Sequence, residues 1–298
     1  MEYTKLGNSD LNISRIGFGT MSLETESPVS ERLVQKALGQ GINYFDTADL
    51  YQQGAVESLL GRAFRGKREQ VILATKVGNQ WRPDGSGWDW NPTKEYILKA
   101  IDQSLRRLQT DHIDLYQLHG GTLEDPVDEI IETFEKLQKE GKIRYYGISS
   151  IRPNVIREYA KHSSIISVML QYSLIDRRPE EEMLSFLKSR NIGVLARGSL
   201  AKGMLVSKPP DVFLNYSKEA VGRAQQVLRT LSDQPFSLAD PAIHFVLDHP
   251  AISSVVIGIR TETQLMDAVE SGRSPGLTTF QLETLRKVLP PNTYTDHR

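Results

Sequence analysis

Four polar residues of different chemistry stand at or just beyond the ends of short apolar runs in this 298-residue chain. Asp46 closes the run 42–46, with Tyr51 in the segment beyond it. Lys76 follows the run 71–75, and His119 ends the run 113–119. A carboxylate, a phenol, an ammonium and an imidazole suit the reduction of a carbonyl, which needs a hydride at carbon and a proton at oxygen. A free tyrosine, with a pKa of about 10, is a weak acid for that purpose. A neighbouring ammonium favours the phenolate and makes the phenol a better acid. A carboxylate paired with the lysine keeps it charged and in place, and a neutral imidazole orients the carbonyl oxygen or relays the proton. Tyr51 is therefore read as the acid, Lys76 as its tuner, Asp46 as the holder of Lys76, and His119 as the group that orients the substrate. Each has an ordinary explanation alone: a turn cap, a snorkelling lysine, a structural histidine, a packed loop aromatic. Their joint placement at strand ends on one face is much harder to explain in that way.

Positioning them requires a regular framework. Apolar runs that read as buried parallel strands occupy 16–19, 42–46, 71–75, 113–119, 143–149, 166–171, 192–196 and 254–257. Helical patterns alternate with them at 29–39, 57–64, 93–108, 127–139, 153–160, 179–188 and 261–269. Thr93 offers a capping hydroxyl before a helical-period stripe of Ile97, Ala100, Ile101, Leu105 and Leu108. Pro126 and Pro153 suit first helical turns, and Gly39 and Gly141 suit helix stops. Eight such alternations predict a (β/α)8 barrel, an α/β fold whose chemistry gathers at the C-terminal ends of the strands. The alternative is an open doubly wound sheet. Its glycine-rich turn, with a third glycine opening a helix, is missing from Gly17-Phe18-Gly19-Thr20-Met21-Ser22. Residues 1–15, with the turn cluster Gly7-Asn8-Ser9-Asp10, read as a hairpin closing the barrel bottom. Residues 199–241 read as a long insertion after strand seven with a helix at 218–231. The whole chain, 1–298, is expected to form one domain.

Composition narrows the function classes. No cysteine is present, which excludes disulfides, thiolate catalysis and thiolate metal sites. Lysine plus arginine number 36 against 37 acids, so no electrostatic footprint for nucleic acid or an anionic membrane is expected. No apolar run reaches spanning length and the N-terminus lacks the order of a signal peptide, so a soluble, cytoplasmic protein is expected.

These residues in this order resemble the aldo-keto reductase family, in a bacterial branch. The resemblance runs from Ile16-Gly17-Phe18-Gly19-Thr20 through Asn43-Tyr44-Phe45-Asp46-Thr47-Ala48-Asp49-Leu50-Tyr51 and Ile72-Leu73-Ala74-Thr75-Lys76. It continues through Asp111-His112-Ile113-Asp114-Leu115-Tyr116-Gln117-Leu118-His119, Lys142-Ile143-Arg144-Tyr145-Tyr146-Gly147-Ile148-Ser149 and Val256-Ile257-Gly258-Ile259-Arg260. It implies NADP(H) as cofactor, no metal, and a small-molecule carbonyl substrate. It also implies that Gly19, Thr20 and Asp46 lie near the nicotinamide, that Ser149 and Gln171 face its carboxamide, and that Tyr172 stacks on the ring. Ser199, Leu200 and Gly203 would form the pyrophosphate loop, and Gly258, Arg260 and Gln264 would hold the adenosine phosphate. The last group agrees with physics, since a helix N-terminus near Thr261 suits a phosphate and Arg260 adds a charged donor fork. Three positions depart from the family pattern: Ser150 where asparagine is common, Met169 where a glutamine is, and Ala268 where an asparagine near adenine is.

All three tryptophans lie in the segment after the Lys76 strand, at Trp81, Trp88 and Trp90. In a loop above the rim they would wall a substrate pocket and favour aromatic or apolar aldehydes. Two other classes stay open. Some relatives are cofactor-sensing partner subunits, such as potassium-channel β subunits, although no partner-binding extension precedes the first hairpin. A barrel isomerase or lyase would use Lys76 as a Schiff base, against which a paired ammonium is a poor nucleophile.

Overall fold

The computed structural model describes residues 1–232 and 238–298. An antiparallel hairpin, β1 (Tyr3–Lys5) and β2 (Asn12–Ser14), comes first. The barrel strands are β3 (Ile16–Gly19), β4 (Tyr44–Asp46), β5 (Ile72–Val77), β8 (Ile113–Leu118), β9 (Ile143–Ser149), β10 (Ser167–Gln171), β11 (Gly193–Arg197) and β12 (Ile252–Gly258). They close in sequence order, β12 pairing back onto β3, and every pair is parallel. A second hairpin, β6 (Asn79–Trp81) and β7 (Trp88–Trp90), rises between β5 and β8. The (β/α)8 barrel with an N-terminal hairpin and a long insertion after the seventh barrel strand is thus the observed architecture.

The helices that return the chain are α1 (Pro28–Gly39), α2 (Ala55–Ala63), α3 (Lys94–Leu108), α4 (Val127–Lys139), α5 (Pro153–His162), α6 (Met183–Ser189) and α9 (Glu262–Ser271). Their ends follow local chemistry. The Thr93 hydroxyl accepts from the Tyr96 amide at the start of α3, and Pro153 opens α5. Pro126 sits one residue earlier than a first helical turn, as the N-cap of α4. Gly141 takes the left-handed φ of +74° that ends α4. Gly39 does not play that part. It is the last residue of α1, and Gly41, at φ +96°, makes the reversal.

Each strand faces two environments. Tyr44, Ala74, Leu115, Met169, Leu195 and Val256 fill the barrel, while their neighbours along the strands pack outward on the helices. Leu6, Leu11 and Ile13 of the hairpin join the interior group, so the first residues plug the N-terminal end of the barrel. Full burial of each such side chain contributes about 1.5–3 kcal/mol, as an upper bound. Gly7, at φ +54°, lets the plug seat. A Cβ there would fall 2.1 Å from the Ile166 carbonyl oxygen.

Several elements differ from the sequence reading, the β6–β7 hairpin in place of a loop among them. The segment 179–188 is a 3-10 turn, Arg178–Glu180, followed by the shorter α6, because Glu182 breaks the helical backbone between them. The insertion carries α7 (Lys218–Leu231) as expected, capped by Ser217. It ends before α8 (Ala239–Leu247), which the boundary at 241 cut; residues 233–237 of the expected insertion lie outside the described residues. Helix α10 (Thr279–Val288), opened by a Thr278–Gln281 capping box, was not anticipated.

Candidate active site

The strand register assembles the site. Two residues beyond the interior-facing Tyr44, Ala74, Leu115, Met169, Leu195 and Val256 stand Asp46, Lys76, Gln117, Gln171, Arg197 and Gly258. The two-residue period of a strand turns all six toward the interior at the C-terminal rim. Direct pairings complete the ring: Gly19 with Asp46 and Gly258, Lys76 with Gln117, Gln171 with Arg197, and Ser149 with Met169.

Lys76 and Asp46 meet at its centre. The ammonium Nζ lies 2.6 Å from Asp46 Oδ2 and donates to the Thr47 carbonyl at 2.7 Å. Both side chains are buried, Lys76 at 1 % exposure. Burial pulls the Lys76 ammonium down, but the Asp46 carboxylate, followed by Tyr51, outweighs it and holds Lys76 above its ordinary value. Burial likewise raises Asp46, with Lys76 opposing. Gln117 donates to the other Asp46 oxygen at 3.4 Å.

Tyr51 lies over this pair, its ring centroid 5.3 Å from Lys76 Nζ. The His119 ring meets it edge-on, with centroids 6.0 Å apart and planes at 82°. All four sequence-predicted groups therefore come together on one rim. Burial first, then the positive charges of Lys76 and Arg197, push His119 down to about 3, so its imidazole is neutral at physiological pH.

The loop that presents Tyr51 is strained and braced. Gln52 (φ +47°), Gln53 (φ +54°) and Gly54 (φ +85°) are left-handed in succession, which places side-chain-bearing residues in a costly conformation. The Gln52 amide donates to Leu23 O at 2.6 Å. Below, Arg107 crowds Gly54 so closely that a Cβ would sit 2.4 Å from its Nε. Arg107 is fixed in turn by the fully buried Glu57 at 2.7 Å, which also accepts from the Thr75 hydroxyl at 2.6 Å. Asp49 receives a hydrogen bond from the Tyr96 hydroxyl at 3.1 Å. Burial, then the Glu57 carboxylate, push Asp49 up to about 8.

The residues expected to hold a dinucleotide divide into two groups. Gly19 and Gly258 line one side of the rim. A Cβ on Gly258 would find nothing nearer than Ser22 Oγ at 4.0 Å, which leaves an open cradle. Thr20 is buried, and its hydroxyl is committed to the Asp46 carbonyl at 2.9 Å, so it braces the site from behind. Ser149 is buried at the rim, and Gln171 is partly exposed there. After β11, Ser199 is buried and Leu200 partly so, and Ala201, Lys202 and Gly203 are left-handed in succession, with the Ala201 and Gly203 amides donating to the Gly198 and Leu200 carbonyls at 2.8 Å. Arg260 is exposed just before α9, and its guanidinium has no partner among the described residues. Gln264 folds back onto the Arg260 amide at 2.9 Å, and Thr261 caps the helix. An open glycine cradle and, at a helix N-terminus, a guanidinium without a partner among the described residues fit a dinucleotide phosphate.

Tyr172 and Ala268 do not belong to that set. Alternation along β10 turns Met169 and Gln171 inward, so Tyr172 points out into the helical layer. There it is 2 % exposed, packs near Phe245 and His249, and donates to Glu180 at 2.7 Å. It has no ring face to offer a nicotinamide. Ala268 is buried in the core face of α9, away from solvent. Met169 fills the barrel interior below the rim, and Ser150 turns its hydroxyl to the Arg152 amide.

The tryptophans also separate. Trp81 and Trp88 are directly paired across the β6–β7 hairpin, and Trp88 is about half exposed. Trp81 Nε1 donates to the Leu50 carbonyl at 2.9 Å, tying the hairpin to the residue before Tyr51. Trp90 is a packing residue. Its ring fits against Gly78 and Gly120, where any Cβ would collide or crowd, and its Nε1 donates to Asp125 at 2.8 Å.

Gln117 and Arg197 were missed. Gln117 was legible by its two-residue spacing before His119. Arg197 was hidden because the seventh apolar run reads as ending at Ala196, although Leu195 two residues earlier sets its inward direction.

The sequence pattern of the aldo/keto reductase family matches residues 15–290. An uncharacterized oxidoreductase of Bacillus subtilis, YqkF, is 45% identical over 307 aligned residues and spans 100% of both chains. The Schizosaccharomyces pombe protein named aldo-keto reductase yakc [NADP(+)] is 36% identical over 221 residues, covering 70% of this chain and 64% of its own. Among solved structures, the holo form of aldo-keto reductase AKR11C1 from Bacillus halodurans superposes with a TM-score of 0.94 at 44% identity, covering 100% of this chain and 99% of that one. With the barrel, its rim and these relatives in agreement, the chain belongs to the aldo/keto reductase family and is an oxidoreductase of that family.

Proposed function

We propose that this protein reduces aldehydes and ketones to alcohols with NADPH, and that Tyr51 donates the proton. The observation that carries the reading is the buried Lys76–Asp46 pair, closed at 2.6 Å beneath the Tyr51 ring. When bound, the nicotinamide cofactor supplies the hydride that reaches the carbonyl carbon. The chain's own residues handle the oxygen. Lys76, kept charged by Asp46, favours the phenolate that remains once Tyr51 has given up its proton. His119, neutral beside it, hydrogen-bonds the carbonyl oxygen and holds it toward the phenol. Gln117 and the Thr47 carbonyl fix the ion pair so that no side chain must reorganise during transfer. A Schiff-base role for Lys76 is disfavoured, because its ammonium is buried in an ion pair and raised rather than lowered.

Preference for the phosphorylated cofactor is supported by Arg260 and the α9 N-terminus. Ser149 and Gln171 are the rim groups in position for the carboxamide. Trp81 and Trp88 form the apolar wall on the Tyr51 side, with Trp90 as its foundation, and small carbonyl compounds are the substrate class. Among the described residues no helix is long and apolar enough to cross a membrane.

The test is the loss of 340 nm absorbance from NADPH with a generic aromatic aldehyde. Tyr51→Phe is expected to lower kcat by about 10²–10⁴-fold, the usual worth of a positioned general acid. NADPH affinity, read by quenching of tryptophan fluorescence, should stay nearly constant. Full turnover in Tyr51→Phe would assign the proton to another group. Unchanged kcat/KM on truncating Trp88 would remove the hairpin from the pocket.

A further inference from the structure

Glu57, the third residue of α2, is fully buried, and its two oxygens reach different parts of the site. Oε1 accepts from the Thr75 hydroxyl at 2.6 Å, and Thr75 immediately precedes Lys76 on β5. Lys76 faces the interior, so its neighbour Thr75 faces the helical layer, where Glu57 holds the strand from behind the lysine. Oε2 accepts from Arg107 Nε at 2.7 Å and from Ser104 Oγ at 3.3 Å. Arg107 lies beneath Gly54: a Cβ on that glycine would fall 2.4, 2.6 and 2.8 Å from its Nε, Cδ and Cζ.

Gly54 at the N-cap, Glu57 and Gly61 are spaced three and four residues apart, which puts them on one side of α2. A Cβ on Gly61 would stand 2.3 Å from the Arg107 carbonyl oxygen, so α2 meets the end of α3 backbone to backbone. That approach fixes where the Arg107 side chain starts. Glu57 and the Ser104 hydroxyl, 3.2 Å from Nη2, fix where it ends. Only Gln52, Gln53 and Gly54 separate Tyr51 from α2, and all three are left-handed, so the segment has little slack to absorb a shift. The Glu57 charge also reaches Asp49, two residues before Tyr51, where it is the chief cause after burial of the raised carboxyl.

One buried carboxylate thus ties the strand that carries Lys76 to the guanidinium under the loop that carries Tyr51. The separation between those two groups is the 5.3 Å from the Lys76 ammonium to the Tyr51 ring. Proton transfer is sensitive to such a distance, and a misplacement of about 1 Å can cost about 10²-fold in rate. We propose that Glu57 is a positioning residue for carbonyl reduction, setting Tyr51 over Lys76 through Arg107 on one side and Thr75 on the other. The inference rests on the carbonyl-reductase reading, and Glu57 acts through these neighbours, not on the reacting atoms.

The test uses Glu57→Gln and the double variant Glu57→Gln/Arg107→Met. The single variant leaves the Arg107 charge without its carboxylate and should melt lower. The double variant removes both charges and should regain much of that loss. Positioning predicts that the single-turnover rate of NADPH oxidation by benzaldehyde falls about 10–100-fold in both variants. NADPH affinity and the KM for benzaldehyde should stay nearly constant. Hydrogen exchange of the amides of residues 50–56, which needs no turnover, should quicken about tenfold or more in both. Where Glu57→Gln alone fails to fold, the double variant carries both comparisons. A rate that recovers together with stability in the double variant overturns the positioning role and leaves the reductase reading intact, since the pair then only joins α2 to α3. Exchange unaltered at 50–56 overturns it too. Absence of NADPH oxidation in the wild type counts against the reductase reading, and with it the role of Glu57 in reduction.

Discussion

Removing Lys76 tests the ion pair on which the site is built, without reference to catalysis. In Lys76→Met the side-chain volume is nearly kept, while Asp46 is left buried at 4 % exposure with only Gln117 as a 3.4 Å donor. Breaking a buried pair by deleting one partner costs about 3–5 kcal/mol. At about 2.1 cal/mol/K per residue, a chain of 298 residues has an unfolding entropy of ~0.6 kcal/mol/K, so Tm should fall by about 5–8 °C. The loss must also depend on pH, with a definite sign. Burial already raises Asp46 above its ordinary value of 3.8, and without Lys76 the largest opposing influence disappears. A carboxyl whose folded pKa lies above its unfolded pKa favours the folded state below the unfolded value and loses that advantage as pH rises. The deficit of Lys76→Met should therefore be small near pH 4 and grow by up to about 1.4 kcal/mol per pH unit until Asp46 ionises in the folded state. Guanidinium unfolding of both proteins at pH 5 and 7.5 measures it. A deficit under about 1 kcal/mol at pH 7.5, or one equal at both pH values, would refute the buried, mutually dependent pair.

Other perturbations probe the surroundings. Arg260→Ala should weaken NADPH binding about tenfold and leave NADH nearly unaffected, as fluorescence titrations of both cofactors would show. Asp49, pushed up to about 8, costs the folded state more as pH rises from 4 toward 8, so Asp49→Asn should raise stability by at least ~2 kcal/mol more at pH 8.5 than at pH 5. A pH-independent effect of that substitution would show that Asp49 is charged in the fold. Gly54→Ala must strain a φ of +85° and displace Arg107 from its place, costing about 1–3 kcal/mol and lowering kcat through the Tyr51 loop. Unchanged melting and turnover would show that Arg107 yields freely.

Legibility followed locality. Strands β3 and β9 and helix α4 fall on the residues that the apolar runs and caps indicate, because period, proline and glycine act over a few neighbouring residues. Helix α8 packs on the adjacent β12 and α9, and α10 on α7 of the insertion; neither belongs to the strand–helix rhythm that announced the others. The β6–β7 hairpin needs the exposed Arg82–Asp89 pair and the Trp81–Trp88 pairing to define its register. Reading that segment as a loop located its tryptophans but not their separate roles. Tyr172 shows the other limit. Its identity matched a stacking aromatic, yet one step along β10 separates the inward from the outward face, and it lies on the outward one.

The amino-acid order alone determined that an acid, a phenol, an ammonium and an imidazole would stand at the ends of parallel strands, since side-chain type and strand periodicity are properties of adjacent residues. Closure of the sheet decided the rest: that Arg197, far along the chain, ends its strand on the inward side of the rim, that Arg107 crowds Gly54, and that Tyr172 is turned away. Those outcomes depend on the register between strands and on which helix packs where, and both are set only when the barrel buries its core.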